Sequence, residues 1–164
     1  MKDLMIDLGG YHLWANKRLL DTMQNLPAEY LTREVSSSFS TLQLTMIHLL
    51  GAESLWLQRL QMNETPMFDA EKFKGPFGEL APSVISHNEK LNQWIADQKE
   101  PFFEHTIAYY NSKKQYFKQP VYQCLLQIFN HGTYHRGQIV TMFHELGVTK
   151  IPATDYIAFK RSKK

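Results

Sequence analysis

The chain has 164 residues, 43% of them hydrophobic, which suits one domain burying about 70% of the surface that its unfolded chain exposes. No run approaches the ~20 consecutive apolar residues that cross a bilayer, and the amino terminus lacks the pattern of a secretory leader. A net charge of +2, a pI near 8.6 and a single cysteine argue against a nucleic-acid binder and a disulfide-stapled scaffold, and fit a reducing cytoplasm.

The whole of 1–164 reads as one domain of long helices separated by Gly and Pro. A first helix begins near Asp3 or Tyr11, its opening turns weakened by Gly9 and Gly10, and runs to Asn25, because Leu26 precedes Pro27 and resists the α conformation. Ser40 and Gln43 fit a capping box for a second helix, along which Leu42, Met46, Leu49, Leu50, Trp56, Leu57 and Leu60 recur at helical intervals to about Met62. Residues 67–82, with Gly75, Pro76, Gly78 and Pro82, read as a long crossover, and 83–98 as the third helix. Phe103, Ile107 and Tyr109 alternate with polar neighbours before Asn111-Ser112-Lys113-Lys114, so a small β-hairpin is expected there. Pro120 suits the first turn of a fourth long helix, closed by Gly147, and 154–159 allows one or two further turns. The basic run Lys160-Arg161-Ser162-Lys163-Lys164 reads as a solvated tail. The expected class is all-α, a four-helix bundle, an architecture that often holds a metal between facing helices.

Histidines carry the functional signal. His131 and His135 lie four apart, so on a helix their side chains stack on one face and can converge on a single ion. That face continues through Cys124, Ile128, Met142 and Leu146, which points the pair into the bundle. Buried imidazoles need partners, and His48, mid-helix before the small residues Gly51 and Ala52, is the best candidate for a third ligand from a neighbouring helix. Three imidazoles leave a coordination position open, as in catalytic zinc sites, though three nitrogens do not choose among zinc, nickel and iron.

Several chemistries are excluded. Gly132 occupies the place of the glutamate in a His-Glu-x-x-His metalloprotease. No Glu-x-x-His supports a di-iron centre, no Cys-x-x-Cys-His attaches haem, and no Gly-x-x-x-x-Gly-Lys loop cradles phosphate.

Three stretches together carry a resemblance: Tyr11-His12-Leu13-Trp14-Ala15-Asn16-Lys17-Arg18-Leu19-Leu20; His48-Leu49-Leu50-Gly51-Ala52-Glu53 with Trp56; and His131-Gly132-Thr133-Tyr134-His135-Arg136-Gly137-Gln138. From Leu4 to about Phe159 the chain resembles the DinB-like superfamily of metal-binding four-helix bundles. The resemblance implies an up-down-down-up bundle, a long crossover between its second and third helices, and a divalent metal, usually zinc or nickel, on His48, His131 and His135. It also implies homodimers and, for some relatives, transfer of a low-molecular-weight thiol such as bacillithiol, mycothiol or glutathione.

The expected function is therefore a metal-dependent thiol transferase or hydrolase, with a small thiol and an electrophile as substrates and neither nucleic acid nor membrane as partner. The alternative is a non-enzymatic metal-binding dimer serving as sensor, store or interaction module. Tyr134 and Gln138 flank the ligands and could orient substrate or a ligand's second nitrogen. His12 and Asn16, four apart, offer a fourth ligand or a substrate contact, although such polar pairs are ordinary on helices. Cys124 reads as a buried structural thiol; His87, His105 and His144 as solvated or hydrogen-bonded; Trp14, Trp56 and Trp94 as core packing.

Overall fold

Four long helices form: α1 (Lys2–Gln24), α3 (Leu42–Leu60), α4 (Phe77–Asp97) and α5 (Val121–Glu145). The computed structural model describes residues 1–162, so Lys163 and Lys164 of the expected tail lie outside the described residues. Between and beyond the long helices come α2 (Ala28–Thr32), the strands β1 (Thr106–Tyr110) and β2 (Tyr116–Pro120), and α6 (Tyr156–Ser162).

Contacts fix the helix directions. Asn16 reaches Asn88 while Lys2 reaches the carbonyls of Ala96 and Gln98, so α1 and α4 are antiparallel. His12 meets Phe129 and Asn16 meets Arg136, so α1 and α5 are parallel. Thr45 contacts Met142 while His48 contacts His131, so α3 and α5 are antiparallel. The first halves of α3 and α4 share one apolar cluster and their second halves another, so these two run in parallel. The result is the up-down-down-up order, with the crossover between α3 and α4 that a parallel pair requires.

The local expectations are refined at four places. Helix α1 runs through Gly9, where a Cβ would stand 2.3 Å from Asn92 Oδ1, so the missing side chain admits α4. Thr41, not Ser40, caps α3 by accepting from the Leu44 N–H; the expected capping box does not form, because Gln43 donates to the Phe73 and Gly75 carbonyls of the crossover. Helix α4 begins at Phe77 rather than Ser83, carrying Pro82 inside it. Proline removes one helical hydrogen bond there, and burial of Phe77, Leu80 and Ala81 offsets that loss. Pro120 ends β2 and stands as the N-cap of α5, one place before the first turn; Gly147, with φ +78°, follows the far end of that helix.

The hairpin forms as expected, with Thr106 opposite Pro120 and Tyr110 opposite Tyr116. Its turn is closed by Asn111 Oδ1, which accepts from the Lys113 and Gln115 amides. The core is divided. One apolar cluster contains Leu19, Met46, Leu80 and Phe143; the other contains Met5, Leu60, Leu91, Phe103 and Ile128. Between them lies a buried polar layer of His12, Asn16, Glu53, Asn88, His135 and Arg136.

Candidate metal centre

At one edge of that polar layer, α3 presents His48 to His131 and His135 of α5. His131 Nε2 lies 3.2 Å from His48 Nε2 and 3.1 Å from His135 Nε2. All three ligand atoms fall within 4.8 Å of one another, and they form the one such His, Cys, Asp or Glu group among the described residues. Three nitrogens held 2.0–2.1 Å from a tetrahedral ion would lie about 3.3–3.4 Å apart, so the donor set fits a divalent cation. The face reading of α5 holds for Cys124, Ile128, His135, Met142 and Leu146, all buried, whereas His48 and His131 are half-buried and border solvent.

Protons satisfy the cluster poorly. The Gln138 amide nitrogen lies 2.9 Å from Ser38 Oγ and 3.2 Å from the Tyr134 hydroxyl, leaving Gln138 Oε1 to accept from His135 Nδ1–H at 2.7 Å. The neutral His135 ring then has a bare Nε2. The single hydrogen available to His131 Nε2 can serve its two neighbours only by being shared between them. A cation would accept all three lone pairs at once. Burial, reinforced by His135 and His131, pulls the His48 ring down to about 4. Burial likewise holds His131 and His135 below the ordinary imidazole value. All three rings are thus uncharged at neutral pH, the form that ligates metal.

The remaining wall is aromatic. Phe39, in the segment between α2 and α3, stacks on His48 with ring centres 4.1 Å apart and stands 5.9 Å from the His135 ring. Tyr134 is 60% exposed beside the cluster and meets His135 edge-on. The spacing in the sequence singled out His48, His131, His135 and Gln138, which the fold brings together, but not Ser38 and Phe39, whose serine-rich segment gives no periodic signal.

His12 and Asn16 do not join the three-histidine cluster. They belong to a closed ring of hydrogen bonds to which each of the four long helices contributes. Arg136 Nη1 donates to His12 Nδ1 (3.1 Å) and Asn16 Oδ1 (3.2 Å). His12 Nε2 donates to Glu53 Oε1 (2.7 Å), Asn16 to Asn88 Oδ1 (2.8 Å), and Asn88 to Glu53 Oε2 (2.6 Å). Gly132 makes room for this ring, since a Cβ there would fall 2.4 Å from the His12 Cε1 atom. Gly51 likewise admits the Phe68 ring of the crossover rather than a neighbouring helix, because a Cβ there would stand 2.7 Å from it.

The other candidates divide. Cys124 is buried, and burial pushes its thiol up to about 11, so it is a packing residue. His105 and His144 are exposed, while His87 is half-buried with Nε2 lacking a hydrogen-bond partner among the described residues. Trp56 and Trp94 pack on the second apolar cluster, and Trp14 packs on Phe159. No helix among the described residues is long and apolar enough to cross a membrane.

The model of the DinB family matches residues 1–164. Protein DinB of Bacillus subtilis (strain 168) is 26% identical over 173 aligned residues, covering 95% of this chain and 93% of that one. A DinB-like protein from Bacillus cereus superposes with a TM-score of 0.66 at 16% identity, covering 85% of this chain and 89% of that one. YfiT from Bacillus subtilis, described as a probable metal-dependent hydrolase with an unusual four-helix bundle topology, superposes with a TM-score of 0.65 at 12% identity, over 90% of this chain and 89% of its own.

Proposed function

We propose, for a chain that belongs to the DinB family, that His48, His131 and His135 bind one divalent cation and that the site joins the sulfur of a low-molecular-weight thiol to an electrophilic substrate, the thiol giving up its proton and the electrophile its leaving group. The observation that carries this reading is the convergence of three neutral imidazoles from two helices on one point whose outer side borders solvent. Zinc and nickel are the expected ions, with iron third. A divalent ion held by these three rings would lower the pKa of a thiol or water bound to it and would so supply a nucleophile at neutral pH.

The protein's own groups favour the thiol. Both oxygens of Glu53, the carboxylate of the buried layer, are committed to His12 and Asn88, so this group is not free to take a proton from water. A thiol, whose ordinary pKa is about 8.5, needs far less help to ionise than water does. Phe39 covers one side of the ligand cluster and limits water there, while the exposed Tyr134 phenol supplies a polar contact for the incoming substrate.

The test uses protein purified with its own metal, or reloaded with zinc or nickel, and mixed with a small thiol and a chromogenic aryl halide. Thiol consumption that depends on the metal and is lost in His135→Ala supports the reading. Thiol consumption at the uncatalysed rate, with stoichiometric metal bound, overturns it. Metal-dependent cleavage of an ester without added thiol would instead assign water as the nucleophile, the chemistry named for YfiT.

A further inference from the structure

The segment 33–41 is tied to the ligand cluster from two sides. Phe39 stacks on the His48 ring, and Ser38 Oγ accepts from Gln138, which in turn holds His135 Nδ1–H. The segment is closed on itself by the Val35 N–H donating to the Ser40 carbonyl at 2.8 Å. At its end, Thr41 is locked as the cap of the helix that carries His48.

We propose that Ser38 and Gln138 are positioning residues that couple closure of segment 33–41 to metal binding, making the segment the substrate-side wall of the centre. The physical chain is short. When Gln138 Oε1 accepts from Nδ1, the His135 ring is fixed in the tautomer and orientation that aim its Nε2 lone pair at His131 and His48. Gln138 can turn about its own side-chain bonds, and Ser38 fixes it by engaging the amide nitrogen. Phe39 restricts His48 in the same way from above, through ring stacking. The Ser38–Gln138 and Phe39–His48 contacts exist only with the segment closed, whereas Gln138 meets His135 and Tyr134 on its own helix. A ligand that needs the rings oriented therefore favours closure, and closure raises affinity for that ligand by the same factor. The coupling also gives Ser38, Phe39 and Tyr134 a shared role: they line the side from which a substrate would reach the cluster.

This inference rests on the ion-binding part of the proposal above and is independent of the thiol chemistry. Its test is zinc affinity, measured by competition with a chromophoric chelator, together with hydrogen exchange of the Val35 amide with and without zinc. Gln138→Leu is expected to weaken zinc binding about 10–100-fold. Ser38→Ala removes one neutral hydrogen bond at an exposed position and is expected to weaken it about two- to ten-fold, with Ser38→Thr restoring the wild-type value. Zinc should slow Val35 exchange in wild type and lose most of that effect in Ser38→Ala. A merely structural serine would move neither the zinc-dependent protection nor the rescue by threonine.

Wild-type zinc affinity in Ser38→Ala, or Val35 exchange indifferent to zinc in wild-type protein that binds it, overturns the coupling and leaves the metal site standing. Failure of the wild type to bind zinc at all overturns both. Coupling seen in a protein that turns over no thiol overturns the thiol reading alone.

Discussion

Glu53→Ala offers the sharpest test of how the polar layer supports the bundle. The Glu53 side chain is 1% exposed and accepts from His12 at 2.7 Å and Asn88 at 2.6 Å, so its removal strands two buried donors and leaves the Arg136 guanidinium without the carboxylate at the far side of the ring. Breaking a buried charged arrangement by deleting one partner costs about 3–5 kcal/mol. For a domain of 150–250 residues each kcal/mol moves the melting midpoint by about 2–4 °C, so the midpoint should fall by about 6–20 °C. Glu53→Gln keeps the volume but replaces one acceptor with a donor that must face another donor, and should cost about 1–3 kcal/mol. The assay is urea and thermal unfolding followed by far-ultraviolet circular dichroism, with His12→Ala and the double variant completing a cycle. Because the two residues share one hydrogen bond, the double variant should cost less than the sum of the singles, by about 0.5–3 kcal/mol. Burial pushes the Glu53 carboxyl upward, but the His12 ring it bonds, with His87 and Arg136 beyond, holds it net below the ordinary range. A depressed carboxyl contributes stability that is present above its unfolded value and lost as pH falls through the folded one, so the wild-type advantage over Glu53→Gln should shrink in acid. A Glu53→Ala protein within 1 kcal/mol of wild type would refute the reasoning, as would strictly additive effects.

Replacing His48, His131 or His135 by Ala should each abolish stoichiometric metal, read by elemental analysis; unchanged content in all three variants would remove the site. Added metal at a hundredfold excess over its dissociation constant should stabilise the wild type by about 2.7 kcal/mol and leave the variants unmoved, which a melting experiment reads directly. In metal-free protein, the His48 ring protons should titrate near 4 by nuclear magnetic resonance, and a midpoint at the ordinary imidazole value of about 6.5 would contradict the burial argument. Cys124 should react with a disulfide reagent at pH 8 only after denaturation, since its buried thiol is held at about 11; rapid labelling of the native protein would contradict that placement.

The three-histidine cluster and the bundle were legible because helical spacing, proline and glycine are local signals. His131 and His135 share a face by arithmetic, and Asn111 and Gly147 mark turns by their own conformational preferences. Other features depend on which helices become neighbours. Spacing suggested His12 and Asn16 as a pair, yet nothing adjacent in the chain reveals that Glu53, Asn88 and Arg136 complete the ring around them. Nor does Pro82 announce that Phe77 will start a helix, because the burial that offsets its missing hydrogen bond comes from tertiary packing. Ser38 and Phe39 were invisible for the same reason: their importance lies in what α5 and α3 hold up to them.

The helix order has a kinetic consequence. The contacts that join the long helices span large sequence separations: 72 residues for Asn16 with Asn88, 83 for His48 with His131 and 120 for Asn16 with Arg136. Bundles that fold in microseconds do so through local helical hairpins, and rates fall as the average separation of contacting residues grows. Here the first long helix finds its main partners only after the third and fourth have been made, so the assembly step is a search between distant parts of the chain, and refolding should be slow for an all-helical domain of this size.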